Sequence, residues 1–291
     1  MSDAANIPHR WRIVPSVARS AALLLCPVAA GVLLGLCFCW PSWSWLAWLC
    51  LIPFAWALKT RNGGFELYLG AYFGGVAFHA IALDWMRSCV DGLLADAWGL
   101  LAHVAGLFWP LALLVGRPLV RRSCLPMCVA LPLVWLSLEF CRMHLLAVLD
   151  GNGMPLLQLG TTQIDRSHLV QIADLGGVYA VSWLVASVNG AAFDVLHARG
   201  WLRGRVSYRR LAVLAGCGIL PVAAAWSYGA WRLSQPIEER GPIVALVCDQ
   251  FPRSRSLGRE VEGLRERAEA ALAAAALTDS GSEGGNVFPD L

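Results

Sequence analysis

Between Arg19 and Lys59 the chain carries no charged residue. A helix needs only about 20 apolar residues to cross the hydrocarbon core of a bilayer, so this stretch is long enough for two crossings. The fold class is thereby constrained to one that enters a membrane near its start. Composition agrees: 57% of the 291 residues are apolar and 15% are charged, too few charges for the wet surface of a soluble domain of this length. Arg10, Arg12 and Arg19 ahead of an apolar run would also suit a cleavable signal, but the run is too long for a signal core and a second span follows at once. A retained helix is expected.

Hydropathy patterning places spans near 21–39, 44–58, 66–85, 97–116, 123–139, 174–193 and 211–231, about seven in all. Short basic connections stay in the cytoplasm, so Lys and Arg counts orient the chain. One set of connections holds Arg10, Arg12, Arg19, Lys59, Arg61, Arg117, Arg121, Arg122, Arg199, Arg203, Arg205, Arg209 and Arg210; the other holds only Arg87, Arg142 and Arg166. This asymmetry predicts a cytoplasmic N-terminus and an extracytoplasmic segment after Trp231. Trp40, Trp43, Trp45, Trp85, Trp98, Trp201 and Trp231 fall near predicted span ends, where an amphipathic ring favours the headgroup zone. Arginines confined to short inter-span loops do not suggest nucleic acid, and no paired interrupted spans or internal repeat suggest a transporter.

Ten cysteines do not imply a disulfide scaffold: Cys26, Cys37, Cys39, Cys50, Cys124, Cys128 and Cys217 lie in apolar runs without metal-ligand spacing and read as small buried hydrophobes. No Gly-rich phosphate loop or metal constellation is present, so neither a metal nor a cofactor is expected. Ionisable groups inside the membrane carry a default suspicion of function. Glu139 and Arg142, three residues apart, share a helix face at the outer boundary of the fifth span, within reach of each other or of a lipid headgroup. Asp84 and Asp174 read as interfacial caps, and His79 and His103 as packed or hydrogen-bonded histidines rather than ligands. The longest outward connection, from Arg142 to about Ser167, has an apolar side and the breakers Gly151, Asn152, Gly153 and Pro155, which suit a segment lying against lipid or an ordinary packed loop.

Three domains follow: a helical membrane domain over 1–231, a polar linker over 232–242, and a soluble segment over 243–291. The last reads as strand, amphipathic helix and strand, the opening β-α-β of an α/β domain too short to bury a core by itself.

In their order, "IALDW" ending at Trp85, "LVWLSLEFCR" (Leu133 to Arg142), "MPLLQLGTTQ" (Met154 to Gln163), "DLGGVYAVSWLVASVNG" (Asp174 to Gly190), "VALVCDQFPRS" and "NVFPD" resemble the bacterial apolipoprotein N-acyltransferases. The resemblance implies a polytopic α-helical bundle followed by a nitrilase-like domain, here C-terminally truncated, in the bacterial inner membrane. It implies transfer of an acyl chain from a phospholipid donor to the N-terminal diacylglyceryl-cysteine of a lipoprotein acceptor, using a Glu base, a Lys and a Cys nucleophile. Asp290 stands where the family has its glutamate. It is one methylene shorter, which sets its carboxylate back by roughly 1 Å. Lys59 is the only lysine, predicted on the cytoplasmic side, and no cysteine follows Cys248, which occupies the first strand rather than the nucleophile position. The chain is therefore expected to be inactive alone, with a separately encoded C-terminal half as a partner that would complete it. The alternative is a non-catalytic lipid-binding or docking protein of the same descent. Gln158 and Gln163 match family positions and, with Glu139 and Arg142, are the substrate-binding candidates. Leu156 stands where the family often has Trp, and Cys248, Asp249 and Gln250 where it usually has Gln-Gly-Asn, both near the lipid-facing cleft by resemblance.

Overall fold

The computed structural model describes residues 16–61, 63–89, 93–123, 125–150, 156–200 and 208–235. The chain divides between Pro236 and Ile237 into two units, and all described residues belong to the first. The expected strands of 243–291, with Cys248 and Asp290, lie outside the described residues.

Every regular element described is helical. The chain begins with α1 (Ser16–Cys39), passes through a 3₁₀ helix (Pro41–Trp48) into α2 (Ile52–Lys59), and returns through α3 (Phe65–Ala82) and the short α4 (Met86–Cys89). Next come α5 (Leu93–Gly106) and α6 (Phe108–Arg122), joined at Leu107, then α7 (Met127–Asp150). A second 3₁₀ helix (Leu159–Gln163) leads to α8 (Ser167–Val170), α9 (Ala173–Gly200) and α10 (Tyr208–Leu233).

Among the described residues six stretches are long and apolar enough to cross a bilayer: Ser20–Cys39, Pro41–Lys59, Ala97–Arg122, Met127–Ala147, Ala173–Ala198 and Ala212–Leu233. The protein is a membrane-spanning helical bundle. The stretch expected as the third span forms α3 but is not among the six. Glu66 and His79 dilute its apolar character, and its packing is local: a Cβ on Gly31 of α1 would lie 1.9 Å from the Gly74 carbonyl oxygen of α3. Small residues on facing helices let two backbones touch, the packing that substitutes for hydrophobic driving force in lipid.

The second span is irregular. Pro41 and Pro53 sit at the starts of its 3₁₀ and α segments, and proline removes a backbone donor. In a bilayer no water repairs the break. Asn189 of α9 does so: its Oδ1 accepts from Leu51 N at 2.8 Å, and its Nδ2 donates to Ala47 O at 2.8 Å and Val185 O at 2.9 Å. Inside, the rings of Phe54, Trp109 and Trp135 meet edge to face, with centroids 5.4 to 5.6 Å apart. Outside, α10 presents Val213, Ile219, Leu220 and Trp226, a surface only lipid would solvate.

The fifth span, expected to stop at 139, continues in α7 to Asp150. The expectation treated Glu139 and Arg142 as boundary residues, yet both are 1% exposed and bonded inside the protein, so the helix need not end at them. Cys37, Cys50 and Cys128 are buried free thiols as expected, whereas Cys39 and Cys217 are exposed. Trp40, Trp43, Trp45, Trp85 and Trp231 are all exposed.

Candidate functional site

At the C-terminal half of α7 the polar residues converge on one short segment, Leu156–Gln163. Arg142 Nη2 donates to the carbonyls of Leu156 (2.6 Å) and Leu157 (3.0 Å), and Arg142 Nη1 lies 3.1 Å from His79 Nε2. His79 Nδ1 is 2.7 Å from the Gly75 carbonyl, so Nδ1 carries the proton and Nε2 accepts from arginine. That tautomer follows from the bonding pattern. Glu139 Oε1 accepts from Trp135 Nε1 (2.8 Å) and from Leu159 N (2.6 Å).

Glu139 and Arg142 thus share a face, as their spacing requires, but they do not close a salt bridge with each other. Among the described residues the ion pairs are Asp84–Arg87 and Asp174–Arg232. Each member of the Glu139–Arg142 pair is engaged by backbone groups of the segment. Their remaining buried atoms, Glu139 Oε2 and Arg142 Nε, have no hydrogen-bond partner.

The segment is held from its far side too. Gln163, 1% exposed, accepts from Trp48 Nε1 at 3.0 Å and donates to Ser44 O at 3.1 Å, tying it to the 3₁₀ helix of the second span. Gly160 N donates to Ser182 Oγ of α9 at 2.8 Å, and a Cβ at Gly160 would lie 2.6 Å from the Val178 carbonyl oxygen. The backbone there must be bare. Just before Val178, Gly177 takes φ 61° and ψ −161°, a conformation reserved for glycine, and breaks α9 beside the segment. Leu157 is the one non-glycine described residue with positive φ, 63°, between the two carbonyls that Arg142 holds.

All four proposed binding residues are therefore buried, in or against the segment Leu156–Gln163. Gln158, 4% exposed, precedes the 3₁₀ helix, and its carbonyl accepts from Thr161 N at 3.0 Å. Exposed at this end are the apolar Leu156 (48%) and Ile164 (73%), together with Thr161, Asp165 and Arg166. Trp48 also borders a lateral groove of about 760 Å³ between α2, α9 and α10, whose walls include Ile52, Ala192, Leu196, Ile219 and Trp226. Lys59 lies at the other end of the bundle: it is the last residue of α2, near Asp194, which caps Met127 N at the start of α7 at 2.8 Å. From Met127 to Arg142 the helix rises about 22 Å.

Residues 30–191, more than half of the chain, match the family model of the apolipoprotein N-acyltransferase N-terminal domain. The chain belongs to the apolipoprotein N-acyltransferase family. Apolipoprotein N-acyltransferases of Geobacter metallireducens (33% identical over 77% of this chain and 42% of that protein) and Rhodopirellula baltica (36% over 44% and 22%) are similar to it. The Leptospira interrogans apolipoprotein N-acyltransferase 2 aligns over 92% of this chain at 25% identity. This family member spans less than half the length of these curated relatives.

The matched region encloses the whole cluster. Sequence reasoning singled out Glu139, Arg142, Gln158 and Gln163 but set His79 aside and did not reach Trp48, Ser182 or Asn189. An intramembrane polar residue is itself a signal, and His79, Ser182 and Asn189, each fully buried, carry it.

Proposed function

We propose that this chain supplies the membrane part of an apolipoprotein N-acyltransferase. The single observation behind this reading is the family match over 30–191, which encloses the clamped segment Leu156–Gln163 and its anchors. In this reading the bundle crosses the membrane seven times, α3 being the additional crossing, with the N-terminus cytoplasmic and the segment after Leu233 extracytoplasmic. The clamped end then faces the outer leaflet. Leu156 and Ile164 meet the acyl donor's interfacial region, and the lateral groove bordered by Trp48 offers room for an acyl chain. Glu139, Arg142, Gln158 and Gln163 act by holding this surface in place, since each is almost wholly buried.

Residues 243–291 are, by resemblance, the opening of the nitrilase-like domain, with Asp290 at the general-base position. Thioester formation needs a thiolate, a base and a fixed donor for the oxyanion. Lys59 is separated from the clamped end by most of the length of α7, and Cys248 is not at the nucleophile position. The membrane part is thus proposed to bind phospholipid without itself forming the thioester.

Incubating the purified chain with phospholipid carrying a labelled, photoactivatable acyl chain tests both parts. The expected result is light-dependent labelling of peptides from Leu156–Gln163 or the groove walls, with no hydroxylamine-labile label. An acyl label on Cys248 that hydroxylamine removes would overturn the inactivity, and absence of any cross-link would overturn lipid binding at this end.

A further inference from the structure

Two connections that are basic in the sequence meet in the fold, at the end of the bundle away from the clamped segment. Arg117 and Arg121, in the last turns of α6, both donate through Nη2 to the carbonyl of Thr60, Arg117 at 3.0 Å, and Arg121 Nη2 also reaches the Arg61 carbonyl at 2.8 Å. A recess of about 300 Å³ opens there, its walls including Gly63, Tyr68, Arg117, Arg121 and Arg122.

Capping the C-terminus of α2 accounts for part of this arrangement, because Thr60 follows its last residue and helix C-termini favour cations. It does not account for the charge. A helix end carries at most about half a negative charge, whereas three guanidinium groups line the recess. None of the three has a carboxylate partner among the described residues. Arg117 is only 3% exposed, with its Cζ 5.6 Å from the Tyr68 ring centroid, and its Nε is buried without a hydrogen-bond partner. A buried cation with a donor unused, in a basic recess beside a bilayer, lacks an anion.

We propose that this recess binds a phosphate group, presented by an anionic phospholipid or free in solution. The planar fork of a guanidinium matches phosphate oxygens two at a time, and basic pockets among membrane helices accept such headgroups. Gly63 makes the approach feasible: a Cβ there would lie 1.8 Å from Arg117 Nη1. Leu114, Val115 and Leu119 of α6 are exposed below the recess, an apolar track for the tails of a lipid whose headgroup sits among the arginines. This inference does not rest on the acyltransferase reading.

The full chain, purified in an uncharged detergent, is titrated with phosphatidylglycerol, phosphatidylcholine or inorganic phosphate at matched ionic strength. The thermal midpoint and lipid retained in native mass spectrometry are followed. Phosphatidylglycerol is expected to raise the midpoint and to be retained where phosphatidylcholine is not. The double variant Arg121→Gln/Arg122→Gln and the charge-neutral Gly63→Ala are each expected to weaken this at least tenfold, while Arg166→Gln leaves it unchanged. Stabilisation by inorganic phosphate with the same variant sensitivity, and none from phosphatidylglycerol, would support the site and identify its source as the free anion. No response to either probe overturns the proposal, as does a response that phosphatidylcholine equals or that both variants retain.

Discussion

Arg142 is the residue on which the clamped segment depends most. Arg142→Gln removes charge-assisted bonds from a buried guanidinium to the partly buried carbonyls of Leu156 and Leu157 and is expected to cost about 3 kcal/mol. It should also speed amide hydrogen exchange at Leu159 and Gly160, whose N–H groups are held by Glu139 and Ser182. A lower thermal midpoint without faster exchange there would show that arginine serves packing alone. Glu139 makes the opposite test. Its Oε1 is an acceptor for Trp135 and Leu159, a role a glutamine oxygen can also fill, so Glu139→Gln is expected to change stability by less than about 1 kcal/mol, whereas Glu139→Leu strands both donors. Asn189 belongs at this scale as well: Asn189→Leu should cost at least about 2 kcal/mol, read as a fall in midpoint, because no water reaches Leu51 N or Ala47 O in a bilayer.

Among the elements, α1 and α3 are held together by the absence of side chains. Gly74→Leu would put a Cβ 2.3 Å from the Pro27 carbonyl oxygen, a backbone atom that moves only if the helices part. Loss of monodisperse protein on size-exclusion chromatography is the expected outcome. The break in α9 is as specific. Gly177→Ala forces an alanine into a conformation costing about 1–3 kcal/mol, and relief by straightening α9 would shift Val178 away from Gly160. A lowered midpoint accompanied by faster exchange at Gly160 is the predicted signature. Helix existence was legible in the sequence for both elements, since long apolar runs have few alternatives in lipid. The end of α7 was not: it outran its expected limit because Glu139 and Arg142 found partners inside the protein.

For the whole molecule, the arginine distribution predicts sidedness. Reporter fusions after Arg61 and after Ser234 should report cytoplasmic and extracytoplasmic locations respectively, and the same compartment for both would overturn the proposed threading. The clamped segment and the basic recess occupy opposite ends of the bundle. One end exposes Leu156 and Ile164 over a buried polar frame, and the other gathers Arg117, Arg121 and Arg122, which have no carboxylate partner among the described residues.

Charge-free length and the order of short motifs were enough to determine membrane class, approximate spans and family, because the cost of an unpaired charge or backbone group in hydrocarbon leaves a strong one-dimensional trace. Partnership left no such trace. That Glu139 and Arg142 grip one segment rather than each other, that Asn189 mends a proline-broken span more than a hundred residues away in sequence, and that two basic connections share a single recess were decided by tertiary structure. Hydrogen bonds depend on distances of a few tenths of an ångström between groups that sequence spacing does not relate, so only the packed helices could choose among the available donors and acceptors.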